Sequence, residues 1–114
     1  MTIRATKRDL GAVTVVDLSG RITLGEGSAA LRQLLGDLVS HGRKKIILNL
    51  ADVEYIDSSG LGELVRGYTS VTTAGGDLKL LHLTQRVHDL LQITKLFTVF
   101  DVYSDEAAAL NSFT

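Results

Sequence analysis

The chain contains no cysteine, no proline and no tryptophan, and one methionine. Without cysteine there are no disulfides and no thiolate metal sites, and an intracellular home is expected. The missing proline is unusual, and no mechanism attaches to it. Aromatic residues make up only 5%. Tyr55, Phe97, Phe100 and Tyr103 are scattered, which gives no platform for stacking single-stranded bases. Neither sign of charge dominates: the formal net charge is -1 and the pI is about 6.3, so a nucleic-acid or anionic-membrane partner is not expected. No apolar run approaches the roughly 20 residues of a membrane helix. Arg4, Lys7, Arg8 and Asp9 break up the N-terminus, so neither a signal peptide nor membrane insertion is expected.

What is present suffices for one domain. The 114 residues are 45% hydrophobic and 22% charged, enough to build a core and too few for two ordinary domains, so residues 1–114 are read as one unit.

Strand-like and helix-like patterns alternate along the chain. Thr2 to Arg8 alternates polar and apolar, Leu10-Gly11-Ala12 reads as a turn, and Val13 to Leu18 reads as a second strand closed by Gly20. From Glu26 to His41 the residues Leu31, Leu34, Leu35, Leu38 and Val39 form one helical stripe, ended at Gly42. Ile46 to Leu50 is nearly all apolar, as in a central strand covered on both faces. A short acidic turn follows. From Ser58 the residues Leu61, Leu64, Val65, Tyr68 and Val71 mark a second helix, stopped at Gly75-Gly76. Leu78 to Leu83 reads as a strand, and Thr84 as the cap of a helix with Val87, Leu90 and Leu91 inside. Thr98 to Val102 reads as the last strand, and Ser104 opens a terminal helix through Leu110. The order is ββαβαβαβα: an α/β domain with a mixed sheet, an antiparallel hairpin first and parallel neighbours after it. In open sheets of this kind, loops at strand C-terminal ends carry the sites. Asp57–Gly60 is such a loop.

The chemistry at Asp57–Gly62 reads in two ways. In the plainer one, a serine caps the helix and two glycines pack. Against it, Leu61 rather than Glu or Gln lies three residues after Ser58, so no capping box forms. Two glycines in a first helical turn also cost roughly 1 kcal/mol each relative to alanine. In the other reading, Ser58 or Ser59 takes on a phosphoryl group. The free N–H groups and positive end of the helix would accept its charge, and the glycines allow close approach. A phosphoserine adds about −1.5 to −2 charges, which beside Asp57 and Glu54 would change the surface a partner meets.

Asp57-Ser58-Ser59-Gly60-Leu61-Gly62, after Asp52-Val53-Glu54-Tyr55-Ile56, resembles the signature of STAS domains, most of all the bacterial anti-sigma factor antagonists. The resemblance extends over the opening hairpin, Gly20, Leu48-Asn49-Leu50-Ala51-Asp52 and Gly75-Gly76-Asp77-Leu78. It implies a cytoplasmic partner switch without catalytic activity or cofactor of its own. In that family the unphosphorylated antagonist binds a serine-kinase anti-sigma factor and frees the sigma factor. The kinase, with its own ATP, phosphorylates the serine after the motif aspartate, here Ser58, and a serine phosphatase removes the mark. Ser59 ranks second. Asp57, Gly60, Leu61 and Gly62 are expected to support the site and meet the partner. Many antagonists carry an acidic residue in the loop after the second strand. Here Thr23 stands in that place and Arg21 is basic, a departure that bears on which kinase binds. A second implied role is an accessory STAS subunit of a membrane transporter or signalling assembly.

Three weaker signals remain. Gly25-Glu26-Gly27-Ser28-Ala29-Ala30 fits a relaxed dinucleotide pattern, but five residues separate it from Ser19, where the strand nears its end. Ile56 stands where a hydrolase elbow Gly-x-Ser58-x-Gly60 needs its first glycine, and His82 is a strand-end residue that could approach the site. His41 and His88 lack metal-ligand spacing, and Arg43-Lys44-Lys45 reads as a solvated turn.

Overall fold

One five-stranded sheet carries the chain in the computed structural model, which describes residues 3–113. Strand β1 (Ile3–Leu10) pairs antiparallel with β2 (Val13–Ile22), and Leu10 sits opposite Val13 rather than in the turn. Gly11 and Ala12 alone make the connection. Gly11 takes φ 66°, the positive value a two-residue hairpin loop demands. Thr2, expected in the first strand, lies outside the described residues.

Gly20 does not close β2. The strand continues to Ile22 through register shifts between Asp17 and Ser19 and between Gly20 and Arg21, with Gly20 at φ 102°. In both shifts the extra residue lies on β3, and such a bulge bends a ladder without ending it. Strand β3 (Lys45–Ile56) is longer than expected for the same reason: the acidic stretch read as a turn stays paired with β2. Val53 and Ile56 are buried while Asp52 and Glu54 are exposed; the buried pair is three residues apart because the ladder passes over Glu54, with Val53 opposite Gly20 and Tyr55 opposite Arg21.

Helices α1 (Glu26–Ser40), α2 (Ser58–Thr73) and α3 (Gln85–Ile93) pack on one face of the sheet. Leu31, Leu35, Leu38, Leu64, Val87 and Leu91 meet Val16, Leu18, Ile46, Leu48 and Leu80 there. Each such side chain contributes about 1.5–3 kcal/mol by leaving water. Both α1 and α2 end in a Schellman motif. Gly42 and Gly75 have positive φ, and Arg43 and Gly76 donate N–H to the carbonyls of Leu38 and Val71.

Strand β4 (Asp77–Leu81) stops two residues early because His82, at φ 55°, turns the chain out of the sheet. Thr84 caps α3 as expected, its hydroxyl accepting from Val87 N–H. The last strand, β5, is Asp101–Tyr103; Leu96–Thr98 forms a turn of 3-10 helix where the strand was expected to begin. Helix α4 (Glu106–Asn111) is capped by Asp105, whose carboxylate accepts from Ala108 N–H, and not by Ser104. It covers the opposite sheet face, with Ala109, Leu110 and Phe113 over Val13, Val15, Ile47 and Leu81.

The observed order is ββαβαβαβα, and the sheet runs β1-β2-β3-β4-β5 with only the first pair antiparallel. A sheet whose order never reverses has no switch-point crevice. A site therefore depends on neighbouring strand ends, and β2 and β3 finish level, Ile22 opposite Ile56.

Candidate functional site

Two loops leave those level strand ends side by side and are bonded to each other. Asp57, the last residue before α2, is the helix cap, a role the sequence assigned to a serine. Its Oδ1 accepts Gly60 N–H at 2.9 Å and its Oδ2 accepts Leu24 N–H at 2.9 Å. Its own N–H donates to the Ile22 carbonyl at 3.2 Å. These backbone donors, Gly60 first and Leu24 second, hold the Asp57 carboxyl below the usual carboxylate range. Both oxygens of an ionised Asp57 are thus committed to backbone.

The glycines differ in purpose. Gly60 is buried beneath β2: an added Cβ would run into the Ile22 carbonyl and come 2.7 Å from Ile22 Cγ2 and 2.9 Å from Ile56 Cγ1. Gly62 is exposed with open space around it. Leu61 is buried in the core, so it fixes the helix from below.

The serines also separate. The Ser28 hydroxyl donates to the Thr23 carbonyl at 2.8 Å, and its oxygen is hydrogen-bonded to Ser59 Oγ at 3.1 Å. Ser58 is exposed in the first turn of α2, and its hydroxyl forms no hydrogen bond among the described residues. Thr23 is half-buried, and its carbonyl also accepts Ser28 N–H at 2.9 Å. Arg21 is exposed with its guanidinium 5.3 Å from the centre of the Tyr55 ring.

A cleft of about 450 Å³ opens beside Ser58, walled by Tyr55, Asp57, Arg86, Leu90 and Ile93. Arg86 and Ile93 come from α3, which nothing in the sequence linked to the site. Leu24, 80% exposed, and Ile93, 79% exposed, are apolar side chains in water at this end of the sheet. Leu24 could have been flagged as an apolar residue in a glycine-bounded loop. Arg86 and Ile93 carried no local signal.

The other sequence signals resolve elsewhere. Gly27 lies against β2, where a Cβ would stand 2.6 Å from the Arg21 carbonyl, and Ser28 N–H is already bonded to Thr23. Packing accounts for Gly27, and a positive φ of 95° for Gly25. His82 donates its backbone N–H to the Tyr103 carbonyl. Arg43 is not simply solvated: its guanidinium lies 2.6 Å from Asp9 Oδ1 and 3.1 Å from Thr14 Oγ1. Among the described residues no helix is long and apolar enough to cross a membrane.

A family model described as the STAS domain matches residues 4–109. The anti-sigma-B factor antagonist of Bacillus subtilis is 37% identical over 87 residues, covering 76% of this chain and 78% of its own. An anti-sigma factor antagonist from Mycobacterium paratuberculosis superposes with a TM-score of 0.83 at 25% identity, covering 97% of this chain and 93% of that one. SpoIIAA, a Bacillus cell fate determinant solved in its phosphorylated form, shares the fold at 18% identity with a TM-score of 0.75, covering 97% of this chain and all of its own.

Proposed function

The chain belongs to the STAS domain family, and we propose that it is an anti-sigma factor antagonist switched by phosphorylation of Ser58. Unphosphorylated, it binds a serine-kinase anti-sigma factor and displaces the sigma factor. The kinase then transfers the γ-phosphoryl group of its bound ATP to Ser58 Oγ; the hydroxyl proton is lost and ADP leaves. A serine phosphatase hydrolyses the ester and restores the binding form. The protein is acted upon throughout and performs no chemistry itself.

One observation carries this reading. Ser58 presents an exposed, unbonded hydroxyl, whereas Ser59 one residue on is half-buried and bonded to Ser28. A phosphoryl group at Ser58 meets solvent and the first turn of α2, so the core beneath it is undisturbed. Asp57 supports the position as a clamp on the two loops, and the exposed Leu24 and Ile93 offer a partner apolar contact near the hydroxyl. The likeness to antagonists, and to a protein of the same fold known in a phosphorylated form, supports the same assignment.

The test is incubation with a cognate kinase and ATP, followed by mass mapping and binding measurement. Ser58→Ala keeps kinase binding and takes no label, while Ser58→Asp and Ser58→Glu lose binding. Label appearing away from Ser58 and Ser59 would sink the site assignment.

A further inference from the structure

Of the chain's seven arginines, Arg4 is exposed on edge strand β1, and the other six divide by what they touch. Arg8, Arg32, Arg43 and Arg66 each lie within 3.3 Å of a carboxylate oxygen. Arg21 and Arg86 form no ion pair among the described residues. Both instead hold their guanidinium groups over the ring of Tyr55, at 5.3 and 5.5 Å from its centre. An electron-rich ring face favours a cation, but by only about 0.5–1 kcal/mol at an exposed site. Two like charges gathered on one tyrosine, without a carboxylate between them, leave strong donors free.

Arg86 and Tyr55 wall the same cleft as Ser58. Neither acid of that cleft is paired with Arg86. Asp57 accepts from Gly60 and Leu24, and Asp89 Oδ1 accepts from Gln85 Nε2 at 2.8 Å and lies 3.4 Å from His88 Nδ1. An added anion here has a guanidinium fork that no carboxylate occupies.

We propose that Arg86 is the intramolecular receptor for the phosphoryl group of phosphorylated Ser58, with Arg21 adding to the field from the other strand end. The inference rests on Ser58 being the modified residue. A phosphate presents three acceptor oxygens, and a guanidinium engages two of them in parallel. Engagement draws Arg86 from Tyr55 into the cleft. Modification therefore does more than add charge: it takes one of the two cations off the Tyr55 ring on the surface a partner meets, while α2 and the sheet stay in place.

Phosphoserine installed at position 58 of the full chain during translation tests this without any kinase. The readout is 31P NMR titration of the phosphate, whose second ionisation ordinarily falls near pH 6. A facing cation favours the dianion, so that ionisation should lie about 0.5 unit or more lower in the otherwise wild-type protein than in Arg86→Gln. Arg86→Lys, which keeps the charge without the fork, falls between, and Arg21→Gln shifts the curve less than Arg86→Gln. The unmodified Arg86→Gln protein should unfold at the wild-type urea midpoint, as an exposed substitution should. Superimposable titrations for the wild-type and Arg86→Gln backgrounds overturn the proposal, as does a shift abolished by Arg21→Gln alone. Because the phosphoserine is placed without a kinase, failure of the kinase to label Ser58 would count against the proposed function and leave this result standing.

Discussion

Replacing Asp57 with alanine removes two hydrogen bonds that join the two loops of the site, and its cost follows from their geometry. The bond to Gly60 N–H is a helix cap, worth about 1 kcal/mol. The bond to Leu24 N–H has a charged acceptor but lies at the surface, where solvent reduces it to about 0.5–1 kcal/mol. Asp57→Ala should therefore lose about 1.5–2 kcal/mol at pH 7. For a chain of this size that lowers Tm by about 6–8 °C and the urea midpoint at unchanged slope. Asp57→Asn keeps an oxygen for Gly60 and turns an amide donor toward Leu24, so it should fall between. The pH dependence supplies an independent check. The folded-state carboxyl lies below its ordinary value, so its contribution is complete above roughly pH 4 and fades as pH falls through the folded value. The gap between wild type and Asp57→Ala should close in acid. The assay is urea unfolding followed by circular dichroism from pH 7 down to pH 2.5. A variant within about 0.5 kcal/mol of wild type at pH 7, or a gap that does not change with pH, would refute the clamp.

The glycines of α2 give a paired prediction. Gly60→Ala drives a methyl into the Ile22 carbonyl, which the sheet holds in place, and should cost about 3 kcal/mol; Gly67→Ala meets the buried Leu35 side chain, foremost its Cδ1, which can shift where a carbonyl cannot, and with a gain in helix propensity of about 1 kcal/mol it should cost only about 1 kcal/mol. Equal losses in thermal unfolding would contradict this contrast. Arg8 lies 2.6 Å from Asp17 Oδ2 and 2.6 Å from Glu106 Oε1, tying edge strand β1 to α4. All three side chains are about one-third exposed, so Arg8→Met should cost about 1–2 kcal/mol after allowance for solvent. Arg8 holds the Asp17 and Glu106 carboxyls below their usual range, so the loss should be full at neutral pH and shrink as both protonate; urea midpoints at pH 7 and pH 3 measure it.

Local pattern determined a large part of this protein. The stripe Leu31, Leu35, Leu38 specified α1, the apolar run Ile46–Leu50 specified a central strand, and glycines beyond Ser40 and Thr73 specified where two helices stop. These signals are short-range: periodicity and positive φ act within a turn or two of chain. They failed where partners across the sheet decide. Gly20 and the acids at Asp52 and Glu54 read as breaks, yet β2 and β3 run ten and twelve residues through them, nine of each paired with the other, because each strand stabilises the other.

The motif Asp57–Gly62 was legible in the chain, and with it the family and the candidacy of Ser58. What the sequence could not separate is which acceptor caps α2, which serine is free and what faces it. Asp57 caps because Leu24, thirty-three residues away, brings a second donor to it. Ser59 is engaged because α1 places Ser28 beside it, which leaves Ser58 open. Arg86 shares a cleft with the serine only because β3 and β4 are adjacent and α3 crosses back over their ends. Sequence fixes what each residue can do; the pairing of Ile22 with Ile56 and the crossing of α3 decide which of them can do it together.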